Sequence, residues 1–171
     1  MTSFEDLLIK LGVPTYTTQI FKDLNATVTG NTIELGDDVP TNLGWIYGMS
    51  IHTDGFKPSD ASKSLITLAN AYDLWFTFVY GTANVTQYTR LSDMVFNVPP
   101  STTRNGVRTQ ELNYMPISTP QGGDWRKSII TNPTGITTGT IMMNLFFIDE
   151  VTYQNLVASG VLWKGGRKPA Q

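Results

Sequence analysis

Thr140-Ile141-Met142-Met143-Asn144-Leu145-Phe146-Phe147-Ile148-Asp149 is the stretch on which the fold turns. Successive side chains of an extended chain point to opposite faces. One face then carries Ile141, Met143, Leu145 and Phe147, and the other Met142, Phe146 and Ile148, with Asn144 its only polar member. Such a run reads as a strand that wants cover on both sides. At about 25 cal/mol per Å² of apolar area, leaving several large side chains wet would forgo several kcal/mol. The cover is a terminal helix, a long loop or another subunit.

Tyr72 to Tyr80 has the same character. One face carries Tyr72, Leu74, Phe76, Phe78 and Tyr80, while the other still offers Trp75 and Val79. Trp75, Val79, Met142, Phe146 and Ile148 are therefore the candidate subunit-interface residues, with intramolecular cover by the end helices as the competing reading.

Working outward, further period-two runs are Tyr16 to Leu24, Thr32 to Leu35, Trp45 to Thr53, Gln87 to Asn97, Arg108 to Ser118 and Arg126 to Thr131. With the two above they make about eight strands, the pattern of an antiparallel sandwich of the jelly-roll kind or a barrel. Gly30-Asn31, Gly36-Asp37, Asp54-Gly55, Asn105-Gly106, Gly122-Gly123 and Asn132-Pro133 punctuate the runs, each a turn-forming pair. Pro99 to Arg104 reads as an exposed loop or a strand-edge extension. No helical pattern lies between the strands, which argues against parallel α/β.

Helices are expected only at the two ends. Ser3 can cap a turn whose stripe is Phe4, Leu7, Leu8 and Leu11, with Gly12 and Pro14 as the stop. Asp149 to Gly160 repeats the pattern, with Gly160 as terminator. The chain thus divides into an N-terminal helix or arm over 1–14, a sandwich over 15–149, and a C-terminal helix with a basic tail over 150–171. In that tail Lys164, Arg167 and Lys168 are the candidate contacts to a neighbour.

Composition narrows the function. Charged residues are 15% of the 171, against about 25% in an average soluble protein, and Thr is the commonest residue, so neutral hydrogen-bonding groups replace ions at the surface. A net charge of -2 offers no footprint for wrapping nucleic acid, and no specific nucleic-acid recognition is expected. The absence of cysteine removes disulfides and thiolate sites. Neither a signal peptide nor a membrane span is expected, because the start carries Glu5, Asp6 and Lys10, and Ser128 to Ile148 is interrupted by Asn132, Pro133, Gly135 and Gly139.

Chemistry is hard to assemble. His52 is the only histidine, and period two places Ser50, His52 and Asp54 on one face of a strand, opposite Trp45, Tyr47, Met49 and Ile51. Same-face neighbours lie about 7 Å apart, too far for a catalytic triad. Asp37 and Asp38 near Glu34 could offer oxygen ligands to Ca²⁺, but no EF-hand spacing is present. Gly122-Gly123 precedes Asp124-Trp125 and is no phosphate loop. No catalysis and no cofactor are expected. The aromatic residues Trp45, Tyr47, Trp75, Tyr88, Tyr114 and Trp125 leave one alternative, a lectin-like module that stacks sugars, with Trp125 as the plausible exposed ring.

The short N-terminal helix, the Thr-rich strands, the Gly44-Trp45-Ile46-Tyr47-Gly48 strand entry, the Tyr88-Thr89-Arg90-Leu91-Ser92-Asp93 strand and the final Ile141 to Asp149 strand together resemble a single jelly-roll capsid protein of tailless icosahedral bacteriophages, of the vertex (penton) or minor-coat kind. The resemblance covers nearly the whole chain as a pattern. It implies an all-β, eight-stranded antiparallel jelly-roll sandwich with short terminal helices, located in the virion. It further implies a homo-oligomer, pentamer or trimer, joined through sandwich edges, with other capsid proteins and a viral membrane or spike protein as further partners.

Overall fold

The computed structural model describes residues 8–24, 32–78, 87–94 and 125–161. The chain is mostly antiparallel sheet with a few short helices. One sheet has three strands in the order β1 (Tyr16–Asp23), β9 (Thr140–Asp149), β3 (Leu43–His52). A second has four, in the order β2 (Thr32–Glu34), β8 (Ile129–Thr131), β6 (Trp75–Phe78), β7 (Gln87–Arg90). A small hairpin, β4 (Phe56–Lys57) with β5 (Asp60–Ser64), stands apart. The helices are α1, described over residues 8–10, α2 (Leu68–Asp73) and α3 (Glu150–Ala158).

Period two explains what lies between the sheets. Ile141, Met143, Leu145 and Phe147 of β9 face inward and join Ile20 of β1, Ile46, Met49 and Ile51 of β3, Phe76 of β6 and Ile130 of β8 in one buried cluster. Opposed residues share a face, so the register sets these rows: Ile20 and Ile51 both lie opposite Met143, and Phe76 lies opposite Ile130.

Several expectations need correction. Tyr72 is not on a strand: Thr67 accepts a hydrogen bond from the Asn70 N–H at 3.1 Å, and this cap starts α2, an interior helix between β5 and β6. Ala69 and Ala71 lower the cost of that turn. Its alternation is real only from Leu74 onward, with Leu74 and Phe76 buried. The stretch from Gln87 stops being a strand at Arg90 and turns into a 3-10 segment, Leu91–Met94, and Arg126 belongs to another, Trp125–Lys127, before β8. The β4–β5 hairpin was not foreseen. Val79 and Tyr80, Arg108 to Ser118, the Pro99 to Gly106 loop, the Gly30-Asn31, Asn105-Gly106 and Gly122-Gly123 turns, and the tail with Lys164, Arg167 and Lys168 lie outside the described residues.

The most informative correction concerns Trp45. Register shifts lie between Leu43 and Trp45 and between Ile46 and Gly48, each inserting one residue into β3, and each extra residue reverses which face the chain presents. Trp45 therefore sits opposite Ile148, on the outer side with Ser50 and His52, not with Met49 and Ile51. Gly44 is the residue the first irregularity requires. A Cβ there would meet the Asp149 carbonyl oxygen at 2.5 Å and the Glu150 Cα at 2.7 Å. The contact is locked by the Glu150 N–H, which donates to the Asn42 carbonyl at 2.8 Å.

The turns behave as their residues dictate. Asp54 takes φ 59° and Gly55 φ 143°, and the Asp54 carboxylate accepts from the Leu68 N–H at 3.3 Å. Asn132 holds its loop closed by accepting from the Ile136 N–H at 2.9 Å and donating to the Ile136 carbonyl at 2.8 Å. Between β2 and β3, a 3-10 turn at Gly36–Asp38 is clasped by two cations: Lys22 pairs with Asp38, and Arg126 with Asp37 at 3.4 Å.

Candidate interaction surface

The two sheets treat their outer faces differently, and the difference locates the candidate surface. On the three-stranded sheet the outward residues of β9 are Met142, Asn144, Phe146 and Ile148. Ile148 is fully buried in a second cluster with Leu8, Trp45 and Tyr153, and Phe146, Val13, Leu156 and Val157 pack against it. Trp45 and Tyr153 lie with ring centroids 5.6 Å apart. The chain's own terminal helices thus cover this end.

The covering helix α3 follows β9 without a loop. Asp149 ends the strand and caps the helix, its carboxylate accepting from the Thr152 N–H at 3.1 Å. At the far end Gly160 takes φ 73°. The Val161 N–H returns to the Leu156 carbonyl and the Gly160 N–H to the Val157 carbonyl, both at 3.0 Å, which satisfies the last carbonyls as a Schellman closure does.

The other end of the same face is held by the β4–β5 hairpin. The Lys57 amine stands 4.7 Å from the Phe21 ring centre, and Lys63 pairs with Asp23 at 3.0 Å. That partner raises the Lys63 pKa above its usual value, chiefly through the hydrogen bond. Ser62 donates its hydroxyl and its N–H to Asp60 at 2.6 and 3.0 Å, which lowers the Asp60 pKa. Met142 is buried beside this end, and midway the Asn144 amide donates to the Ser50 hydroxyl at 3.2 Å.

The four-stranded sheet presents two outward rows. Its register aligns Thr32, Thr131, Trp75 and Arg90 across the strands in one row, and Glu34, Ile129 and Thr77 in the next. Trp75 is only half-buried, and the exposed Arg90 lays its guanidinium 4.9 Å from the indole centre. Thr77 is buried, and its hydroxyl has no hydrogen-bond partner among the described residues. Tryptophan and arginine are among the residues enriched at energetic centres of protein interfaces.

Of the five residues expected at an interface, Trp75 retains open surface. Ile148 and Met142 are buried within the chain, Phe146 is packed beneath the terminal helices, and Val79 is outside the described residues. A partner would have to displace α3 to reach Ile148. The structure does not gather Ser50, His52 and Asp54 into a site: Ser50 is engaged by Asn144 and Asp54 by the Leu68 N–H. Asp37 and Asp38 are taken by Arg126 and Lys22, and among the described residues no group of three acidic or histidine side chains could hold a metal ion. Among the described residues no helix is long and apolar enough to cross a membrane.

The Trp75–Arg90 pairing was the feature sequence reasoning missed. Its signal was available, since two strands of alternating pattern put both residues on outward positions, but the register that makes them neighbours needs the fold. No protein-family model, curated protein or solved structure matches the chain.

Proposed function

We propose that the chain is a jelly-roll structural subunit of a virion coat, at a vertex or minor-coat position, which assembles with copies of itself and with other capsid proteins. The observation that carries the fold part is the nesting of the ladders. β1 pairs with β9, β2 with β8 and β6 with β7, the order produced when a long antiparallel ribbon doubles back on itself. Rolling that ribbon brings β9 against β3 and β8 against β6, the two interlocked Greek keys of a jelly roll.

The coat function is supported by a surface poor in charge and by the half-exposed Trp75 on the four-stranded face. A rigid sandwich with such a face gains by repeating one contact around a symmetry axis, and head-to-tail contacts close into rings. Light scattering and electron microscopy of the purified protein test this: discrete pentamers, trimers or shells are expected, and a monomer at every concentration contradicts it.

The same Trp75–Arg90 pair favours one second reading, a carbohydrate-binding module that stacks a sugar on the indole. A monomer whose melting temperature rises with an oligosaccharide, and loses that response in Trp75→Ala, would replace the coat reading.

A further inference from the structure

A strand at the rim of a sheet carries unpaired N–H and C=O groups that can accept a strand from another molecule. Among the described residues the rims are β1 and β3 on one sheet, and β2 and β7 on the other. β2 has three residues and β7 four, too few to hold a partner. β3 has ten, but two register shifts break its line, and bulges turn a rim away from pairing. β1 differs from all three. Its eight residues keep an unbroken register with β9 from Tyr16 opposite Phe147 to Asp23 opposite Thr140. That leaves a straight rim about 26 Å long, free of proline and bulges. Its one protective device is Lys22, an inward-pointing cation near one end that is engaged by Asp38.

We infer that β1 pairs with β1 of a second copy of this chain, antiparallel, about a twofold axis normal to the sheet at Gln19. The two three-stranded sheets then become one continuous sheet. Such an axis keeps both inner faces on one side, so only residues of equal parity meet. Tyr16 lies opposite Lys22 of the second copy, Thr17 opposite Phe21, Thr18 opposite Ile20, and Gln19 opposite its own equivalent. No pair sets like charges face to face, the arrangement that destabilises a ladder. Gln19 is exposed, and an amide both donates and accepts, so two of them satisfy each other across the axis. Centring on Gln19 also leaves Asp23, already bound to Lys63, outside the new ladder.

This pairing does not depend on the coat reading, because a twofold contact closes at a dimer whereas a ring needs head-to-tail contacts. The chain contains no cysteine, so Gln19→Cys supplies a single thiol. Opposed residues of an antiparallel ladder have Cα atoms about 4.5–5.5 Å apart, within disulfide range. Under mild oxidation Gln19→Cys is expected to form a covalent dimer several times faster than Ala61→Cys, an exposed control on β5. Gln19→Lys, which sets two cations on the axis, is expected to weaken dimerisation about fivefold in sedimentation with the melting temperature unchanged. Equal cross-linking rates, or a dimer indifferent to Gln19→Lys, overturn the pairing. A larger closed assembly that ignores Gln19→Lys removes this contact and leaves the coat reading standing. A dimer lost in Gln19→Lys, with no larger assembly at any concentration, does the reverse.

Discussion

Trp45 and Trp75 occupy equivalent places on the outer faces of the two sheets, yet one is 3% exposed under α3 and the other is half-open with an arginine over it. β9, which lies against Trp45, and the run that carries Trp75 both read as apolar on two sides, so the sequence problem is the same. The solutions differ because β9 runs straight into a helix capped by its own last residue, which folds back on the sheet at once, whereas no described helix follows β6 or β7 onto the other face. Apolar pattern states that a face needs cover. What supplies the cover depends on what the chain does next.

That contrast is open to mutation, beginning with the largest effect. Trp45→Ala empties the center of the terminal cluster and is expected to cost about 3–5 kcal/mol in denaturant unfolding. Trp75→Ala, which removes a partly solvated ring, is expected to cost about 1 kcal/mol or less in stability while weakening assembly much more, as truncation of an interface anchor does. Equal stability losses would erase the distinction between the faces.

Gly44→Ala forces a methyl group against the backbone of the β9–α3 junction. A loss of about 1–3 kcal/mol is expected, with hydrogen exchange rising in α3 before the sheet. Gly135→Ala has open space around it and only a positive φ to strain, so about 1 kcal/mol is expected there. Asp149→Ala removes the cap of α3 and is expected to cost about 1 kcal/mol, again seen first as faster exchange in α3.

The smallest effect is electrostatic. The folded Asp60 pKa lies below its ordinary value because Ser62 donates to the ionised carboxylate. Its contribution is therefore present above the unfolded carboxylate pKa and disappears as pH falls through the lowered folded value. An NMR titration of Asp60 should show the lowered midpoint in the native protein and a return toward the ordinary value in Ser62→Ala. An unchanged midpoint would contradict the assignment.

Much of the sandwich was legible from β9 alone. Ile141, Met143, Leu145 and Phe147 are in the core where alternation put them, and Asp149 and Gly160 bound α3 as their side chains and backbone preferences dictate. What failed was parity in β3. The residue inserted between Ile46 and Gly48 reverses Trp45 relative to Met49 and Ile51, and period-two reasoning carries no record of an insertion. Glycines inside a strand mark bulges or close backbone approach, so Gly44 and Gly48 were the available warning. Tyr72 failed for another reason, since a single Thr cap and two alanines outweighed its β propensity. Of the candidate interface, Trp75 could be read from alternation, whereas Arg90 as its neighbour could not, because cross-strand register is a property of the whole sheet.

Among the described residues one outer face is covered by the chain's own helices, while the other keeps a half-open tryptophan, the surface we propose for contact with another molecule. Acrylamide quenching of two single-tryptophan proteins, one keeping Trp45 and one keeping Trp75, followed as protein concentration is raised, tests this proposal directly. Trp45 should stay protected throughout, and Trp75 should be quenched in dilute solution and shielded as molecules assemble. Quenching of Trp75 that never changes with concentration, or a Trp45 as accessible as Trp75, would contradict the account.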